Sequence, residues 1–244
     1  MGPIRYSTAF STGRRIRYGT RPSEGRVAKA RTASRLSSLG AERHLIVCEG
    51  EKTEPLYFQG MRDALKPEFR NRIHIVVKGT GLHTVDLLDY ALRESRLSGG
   101  YDHVWLAYDR DDFDLREFDS VVDKCAQSSD ETTAFHPLWS NPCVEVWMLL
   151  HFGYTTAEMT SAEAISRVDV TFQRELNHPY SKTGVGLFKE LQSRMHLAES
   201  NVERLTRWHE EQGINLPSRM NPCTTLPAIT TMLTDYIGGS ESNA

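Results

Sequence analysis

Three carboxylates have the residue types and spacing of a metal site. Glu49 follows the apolar run 45–48, and Asp109 and Asp111 follow or end a second run, 104–108. Both runs are rich in branched and aromatic side chains, which is typical of buried strands in a largely parallel sheet. Ligands of open α/β sheets bind beyond the carboxyl ends of the strands, so neighbouring strands would bring these acids together. Clustered oxygen ligands favour Mg²⁺ or Mn²⁺, which predicts metal-assisted phosphate chemistry.

The roles of the individual acids remain open at this stage. Two acids at i and i+2 of an extended segment point the same way, so Asp109 and Asp111 could ligate one ion. Glu49 could complete the metal shell or take a proton from an attacking water. Glu145 lies in an otherwise apolar stretch. It could ligate a second metal ion, or it could make a structural hydrogen bond near a helix start.

Three lysines are candidates for stabilising negative charge on a phosphate. We predict a catalytic role for Lys182 and phosphate binding for Lys52 and Lys78, although each could equally be a solvated surface lysine. The turn at 79–81 lacks the Lys-Ser/Thr ending of an ATP-binding phosphate loop. We therefore do not expect the chain to hydrolyse ATP itself.

Alternating strand and helix patterns must position these residues. The apolar and amphipathic segments predict strands at 45–48, 73–77, 104–109 and 133–138, with helices at 55–66, 83–97 and 115–127. Further helices are predicted near 161–177 and 184–211. Strands that alternate with helices of this length indicate an α/β fold, with a mostly parallel Rossmann-like sheet flanked by helices. The predicted domains are a core at 43–152 and a mainly helical C-terminal part at 153–244 packed on it.

Two Asn-Pro-Cys segments also suggest helix starts. Asn141 is a plausible N-cap, with Pro142 in the first helical position of an apolar helix that runs to about 152. Asn221 and Pro222 are predicted to open the last helix in the same way. Two segments of this length are too short to indicate a duplication.

The composition indicates a soluble globular protein. Of 244 residues, 39% are hydrophobic and 25% are charged, and no apolar stretch approaches the roughly 20 residues that a membrane span needs. An apolar signal-peptide core is also missing from the N-terminal stretch. The four cysteines are scattered without paired metal-ligand spacing, which favours reduced thiols and a cytoplasmic location.

The charge is unevenly distributed. Residues 1–40 carry nine basic side chains and one acid, whereas residues 41–244 carry 20 basic and 31 acidic side chains. We predict a flexible basic arm at 1–42, with Arg14, Arg15 and Arg17 among its phosphate contacts. Alternatively, the arm could neutralise the acidic body of its own or a partner subunit.

Several blocks of the chain resemble known families. A Glu at the end of one strand and an Asp-x-Asp after a later one resemble the Toprim domain of topoisomerases, primases and nucleases. A closer resemblance is to the RloB family, through the blocks 46–55, 109–112, 140–147 and Asn221-Pro222, which together span about 43–237. Cys223 departs from the small hydroxyl residue expected after Asn-Pro. The resemblance implies a Toprim-like catalytic domain, genes near restriction-modification or defence systems, and an ABC-type ATPase of the RloA kind as partner.

These inferences combine into one functional hypothesis and one alternative. We expect a Mg²⁺- or Mn²⁺-dependent endonuclease that hydrolyses DNA or RNA, tRNA being one candidate, as the effector of an anti-phage or abortive-infection system. The alternative is a non-catalytic metal- or nucleic-acid-binding subunit of the ATPase. A nuclease that cuts two strands would gain from forming a homodimer.

The basic arm gives a first testable prediction. Deleting residues 1–40 should weaken nucleic-acid binding and reduce its salt dependence, because each phosphate contact contributes about 0.9 to the log–log salt slope on duplex DNA. Metal binding should persist. A filter-binding titration over a range of salt concentrations measures both quantities, and an unchanged slope would contradict a role of the arm in phosphate contact.

Overall fold

The computed structural model describes residues 41–82, 84–98, 100–111 and 114–238, without the side chains of Thr84 and Val85. Nearly all of the predicted arm at 1–42, including Arg14, Arg15 and Arg17, lies outside these residues. The arm and the division of the chain at residue 152 therefore stay predictions.

Five strands form a single sheet in the order β2-β1-β3-β4-β5. The strands are β1 Glu42–Cys48, β2 Ile73–Gly79, β3 His103–Asp109, β4 Ala134–Asn141 and β5 Cys223–Thr224. The first four are parallel, and the short β5 runs antiparallel to β4. Because β1 and β3 are central, their apolar runs are buried on both faces. The predicted α/β class with a mostly parallel sheet is confirmed, and it is consistent with a Rossmann-like fold.

Helices flank this sheet and continue into the C-terminal half. They are α1 Thr53–Asp63, α2 Thr84–Leu97, α3 Leu115–Ser128, α4 Glu145–Leu150, α5 Ser161–Glu175, α6 Leu187–Leu191, α7 Met195–Glu211 and α8 Pro227–Leu233. Side chains cap two of the helix starts. Asp114 accepts hydrogen bonds from the N–H groups of Arg116 and Glu117, and Thr160 forms a reciprocal capping box with Glu163.

Within the described residues, no helix is both long enough and apolar enough to cross a bilayer. All four cysteines are buried and unpaired.

The helix starts predicted at the two Asn-Pro segments are wrong. β4 continues through Asn141, and α4 begins only at Glu145. Likewise, the cis Asn221-Pro222 bond leads into β5, and the following helix begins at Pro227. The reason is long-range pairing, because Asn141 lies opposite Cys223 in the β4–β5 ladder. The C-terminal half thus adds a strand to the sheet.

The single long helix predicted over 184–211 is also wrong. The chain forms α6, then a 3₁₀ turn at Gln192–Arg194, and then α7. Gly186 has a φ of 98°, a left-handed conformation that glycine adopts without steric cost, so the helix can begin only after it. The break lets Phe188 of α6 pack edge-on against Tyr57 of α1, with ring centroids 5.3 Å apart.

A buried hydrogen bond that joins the helices provides a test of the packing. The indole N–H of Trp147 in α4 donates to the Tyr57 hydroxyl at 2.8 Å, and both side chains are fully buried. Tyr57→Phe leaves that donor without an acceptor, so it should lower the free energy of unfolding by about 1–3 kcal/mol. Chemical denaturation of wild type and variant measures the difference.

The matched control for this prediction is Tyr236→Phe. The Tyr236 hydroxyl has no hydrogen bond to the described residues, although its ring packs against Phe69. Its loss should change stability by less than about 0.5 kcal/mol, as expected of a partly exposed site. Equal effects of the two substitutions would contradict the assigned role of the Tyr57 hydroxyl.

Candidate active site

The ends of β1 and β3 bring Glu49 and Asp109 together. The strands are neighbours in parallel register, and the Glu49 N–H donates to the carbonyl of Ala107 at 2.9 Å. In return, the backbone N–H of Asp109 donates to Glu49 Oε2 at 3.3 Å. The two carboxylates therefore share the carboxyl edge of the sheet, where ligands of open α/β sheets bind.

Asp111 reaches the same region by a different geometry from the predicted one. β3 ends at Asp109, and Asp111 is exposed with a φ of 32° in a turn instead of an extended segment. The turn follows the end of β4, because the Asp111 N–H donates to the carbonyl of Pro142 at 2.9 Å. The Ser161 hydroxyl at the start of α5 donates to Asp111 Oδ1. Asp111 is nevertheless near enough to raise the pKa of both Glu49 and Asp109.

Glu145, the first residue of α4, is the most deeply buried of the predicted acids, with 1% of its surface exposed. The Tyr180 hydroxyl donates to its Oε1 at 3.0 Å, and the Lys182 ammonium lies 3.3 Å from the same oxygen. Its Oε2 is buried without a hydrogen-bond partner in the described residues. Such an oxygen costs free energy unless a donor or a cation satisfies it.

Glu54 is a member of the cluster that the strand-end pattern missed. It lies in the first turn of α1, is buried, and its charge raises the pKa of Glu49 and Asp109. Burial raises its own pKa, while hydrogen bonds from its own backbone and that of Gly50 act in the opposite direction. A Cβ on Gly50 would collide with the Glu54 carboxylate. The available signal was an acid directly before Pro55, in the same short block as Glu49.

Loss of hydration dominates the electrostatics of the site. Burial raises the pKa of Glu49 from its ordinary 4.5 to about 7, with the hydrogen bond from Asp109 opposing the shift and the charges of Glu54 and Asp111 adding to it. Burial also raises the pKa of Asp109, followed by the charges of Glu54, Asp111 and Glu145. Both carboxyl groups therefore hold their protons more tightly than isolated acids do unless a cation compensates the charge.

Of the three predicted lysines, only Lys182 contacts this cluster. Partial burial lowers the pKa of Lys182, but the charge and hydrogen bond of Glu145, together with smaller contributions from Cys143 and Asp109, raise it above its ordinary value. Lys52 is exposed immediately before α1, and Lys78 lies in the edge strand β2 opposite Val47. Neither Lys52 nor Lys78 forms an ion pair with a carboxylate of the described residues.

The cluster offers the donor atoms that a divalent cation prefers, but its side chains are too far apart to bind one. Its donors are carboxylate oxygens, the type that Mg²⁺ and Mn²⁺ prefer, and one buried oxygen of Glu145 lacks a partner. In the described part of the chain, however, no three His, Cys, Asp or Glu side chains are grouped closely enough to hold a metal ion. Side chains would have to move before an ion could bind.

The fold and this acidic edge define an α/β protein with a Rossmann-like sheet and a candidate ligand site at its carboxyl end. The family model described as RloB-like protein matches residues 44–233, so the chain belongs to the RloB-like family. No curated protein and no solved structure gave a significant match.

The raised pKa of Glu49 predicts how stability varies with pH. Between pH 4.5 and about 7, the folded protein holds a proton on Glu49 that the unfolded chain releases. The free energy of unfolding should therefore fall as pH rises through this window, and this contribution should level off above it. Glu49→Gln removes the effect, so relative to wild type the variant should gain about 1–2 kcal/mol between pH 5 and pH 8, after allowance for solvent screening.

Denaturant titrations at several pH values, in metal-free buffer, measure this gain. Glu51→Gln is the matched control, because Glu51 is an exposed acid two residues away. If wild type and Glu49→Gln keep the same stability difference at pH 5 and pH 8, the pKa of Glu49 is not raised.

Proposed function

We propose that this RloB-like protein is a metal-dependent endonuclease that hydrolyses phosphodiester bonds in DNA or RNA through a Toprim-like catalytic domain. The observation that carries the proposal is the gathering of Glu49, Glu54, Asp109, Asp111 and Glu145 at the carboxyl edge of the sheet. Concentrated like charges destabilise a fold, so an arrangement of this kind favours a role that uses a cation.

The carboxylates would hold Mg²⁺ or Mn²⁺, with Asp109, Asp111 and Glu49 as its ligands. When bound, the ion would polarise a phosphate oxygen and make a water molecule more acidic. Glu145, with its unpartnered oxygen, is the further ligand if two ions bind. If Glu49 instead stays outside the metal shell, its pKa of about 7 in the metal-free site suits a group that accepts a proton from water near neutral pH.

Lys182 is the proposed electrostatic partner of the phosphate. Its ammonium is half-exposed at the edge of the cluster, while its backbone carbonyl accepts a hydrogen bond from Thr53 at 3.3 Å. This places one positive charge where negative charge would develop on a bound phosphate. Because the same ammonium pairs with Glu145, it also compensates the cluster when no metal ion is bound.

Membership of the RloB-like family supports the biological part of the proposal. We propose a cytoplasmic effector of anti-phage defence, working with an ABC-type ATPase of the RloA kind. Lys52, Lys78 and the arm residues Arg14, Arg15 and Arg17 are proposed as phosphate contacts. A homodimer would suit cleavage of both strands of a duplex.

One observation favours a second candidate, the non-catalytic partner subunit of the ATPase. The described acids are not grouped to hold a metal ion. A binding module would need only their charge, whereas a nuclease needs them to converge on an ion. The two candidates therefore differ in whether metal binding produces cleavage.

A cleavage assay separates the two. Labelled plasmid, single-stranded DNA and total tRNA are incubated with Mg²⁺ or Mn²⁺ and with wild type, Asp109→Asn or Asp123→Asn. Asp123 is an exposed acid of α3 and serves as the matched control. We expect metal-dependent cutting that Asp109→Asn lowers by at least about 100-fold, the scale of losing one key electrostatic group.

The cleavage assay also needs the proposed ATPase partner, because an effector can be inactive alone. The same reactions are repeated with an ABC-type ATPase of the RloA kind and ATP. Metal-dependent cutting that Asp109→Asn abolishes supports the nuclease and identifies its substrate. Absence of cutting with and without the ATPase, while the ATPase is still bound, would establish the binding subunit instead.

A further inference from the structure

A groove of about 390 Å³ lies on α5 outside the acidic site, between that helix and the segment that follows α4. Its walls include Phe152, Tyr154, Arg167, Val170 and Arg174. None of the described residues that line it is acidic. Val170 is 62% exposed, so the floor of the groove presents apolar surface to the solvent.

Two arginines line this groove, and two more stack on aromatic rings that line it. Arg167 and Arg174 are exposed and seven residues apart, which places them two turns apart on one face of α5. The guanidinium of Arg194 lies 4.9 Å from the centroid of the Phe152 ring, and that of Arg204 lies 3.7 Å from the centroid of Tyr154. Stacking of this kind positions a guanidinium group while its N–H donors can still form hydrogen bonds.

The charge of these arginines is only partly compensated, because Arg167 helps to lower the pKa of the exposed Glu163, one turn away on α5, after the hydrogen bonds that Glu163 makes with Thr160. Arg174 pairs with Glu175 at 2.8 Å, but Arg167, Arg194 and Arg204 form no ion pair with a carboxylate of the described residues. Residues 41–244 carry 31 acidic and 20 basic side chains, so a concentration of positive charge runs against the character of this part of the chain. The groove is therefore complementary to an anion.

The groove and the acidic site lie on opposite flanks of α5. On α5, Ser161 donates to Asp111, and Asp169 accepts from the backbone N–H of Tyr180, so one flank of the helix faces the acidic cluster. At 100° per residue, Arg167 and Val170 lie on the opposite flank. A chain of phosphates that crosses α5 could reach both surfaces.

We propose that the groove binds the phosphodiester backbone of a nucleic-acid strand and guides it toward the acidic cluster. The path of the strand toward the acidic cluster rests on the proposed function, whereas binding in the groove does not. Arginine forks bind phosphate oxygens in a bidentate manner, and the aromatic and apolar wall of Tyr154, Phe152 and Val170 suits unpaired bases. The occupant is therefore a single-stranded segment.

The test measures the binding of a fluorescein-labelled single-stranded oligonucleotide, as RNA and as DNA, by anisotropy in metal-free buffer. The full-length chain carries Arg167→Glu and Arg174→Glu together. We expect the Kd to rise at least about 10-fold and the log–log salt slope to fall by about 1–2, since each phosphate contact on a single strand contributes about 0.7.

A charge-matched control separates the groove from the overall field. Arg93→Glu with Arg116→Glu makes the same change in net charge at exposed arginines of α2 and α3, which do not line the groove. We expect the control to raise the Kd by less than about 3-fold. Equal weakening by both double variants, or no weakening by the groove variant, would overturn the proposal. Arg167→Gln with Arg174→Gln replaces the groove variant if its melting temperature shows misfolding.

Two further measurements keep the proposals distinguishable. Asp123→Asn should retain the oligonucleotide affinity of wild type, because Asp123 is an exposed acid of α3 outside both the groove and the acidic cluster. If binding depends on the groove arginines but no cleavage occurs, the groove proposal stands and the nuclease proposal fails. If the groove substitutions change neither cleavage nor binding, the groove proposal fails and the nuclease proposal stands. If the groove variant loses only the ATPase, the groove binds an acidic protein surface and the nucleic-acid proposal fails.

Discussion

Carboxylates that lose hydration at one edge of the sheet are the constraint on which the rest of the structure depends. The ends of β1 and β3 bring in Glu49 and Asp109, and the starts of α1 and α4 add Glu54 and Glu145. Such groups repel one another and favour their protonated forms. The fold offsets this cost with backbone N–H donors to Glu54 and Asp109, and with the ammonium of Lys182 against Glu145. Among the described residues, these compensations leave Oε2 of Glu145 without a hydrogen-bond partner.

The sheet could be predicted because local patterns determine its central strands. The apolar runs of β1 and β3 are buried on both faces, and that is the property that their composition indicates. The structure of the Asn-Pro segments could not be predicted in the same way. An Asn-Pro sequence is compatible both with the start of a helix and with the end of a strand followed by a turn. The pairing of Asn141 with Cys223 decides between them, and that contact is distant in sequence.

The same distinction between local and long-range determinants applies to the site. Glu49 and Asp109 could be located because strand ends position them. The position of Asp111 depends on a hydrogen bond to the carbonyl of Pro142 at the end of another strand. Glu54 is buried next to Thr53, whose hydroxyl donates a hydrogen bond to the carbonyl of Lys182. The two residues of that hydrogen bond are far apart in sequence. A first-turn glutamate is ordinarily solvated, so only the tertiary structure shows that this one belongs to the cluster.

We propose that this cluster binds a divalent cation and that Lys182 compensates its charge until a metal ion binds. The test is a crystal of the wild-type protein soaked in Mn²⁺, with anomalous data collected at the manganese edge. We expect an anomalous peak bound by Asp109 and at least two more of the five carboxylates, with occupancy lost in Asp109→Asn crystals. An acidic cluster without a peak at saturating Mn²⁺, and with the ion pair of Lys182 and Glu145 unchanged, would contradict it.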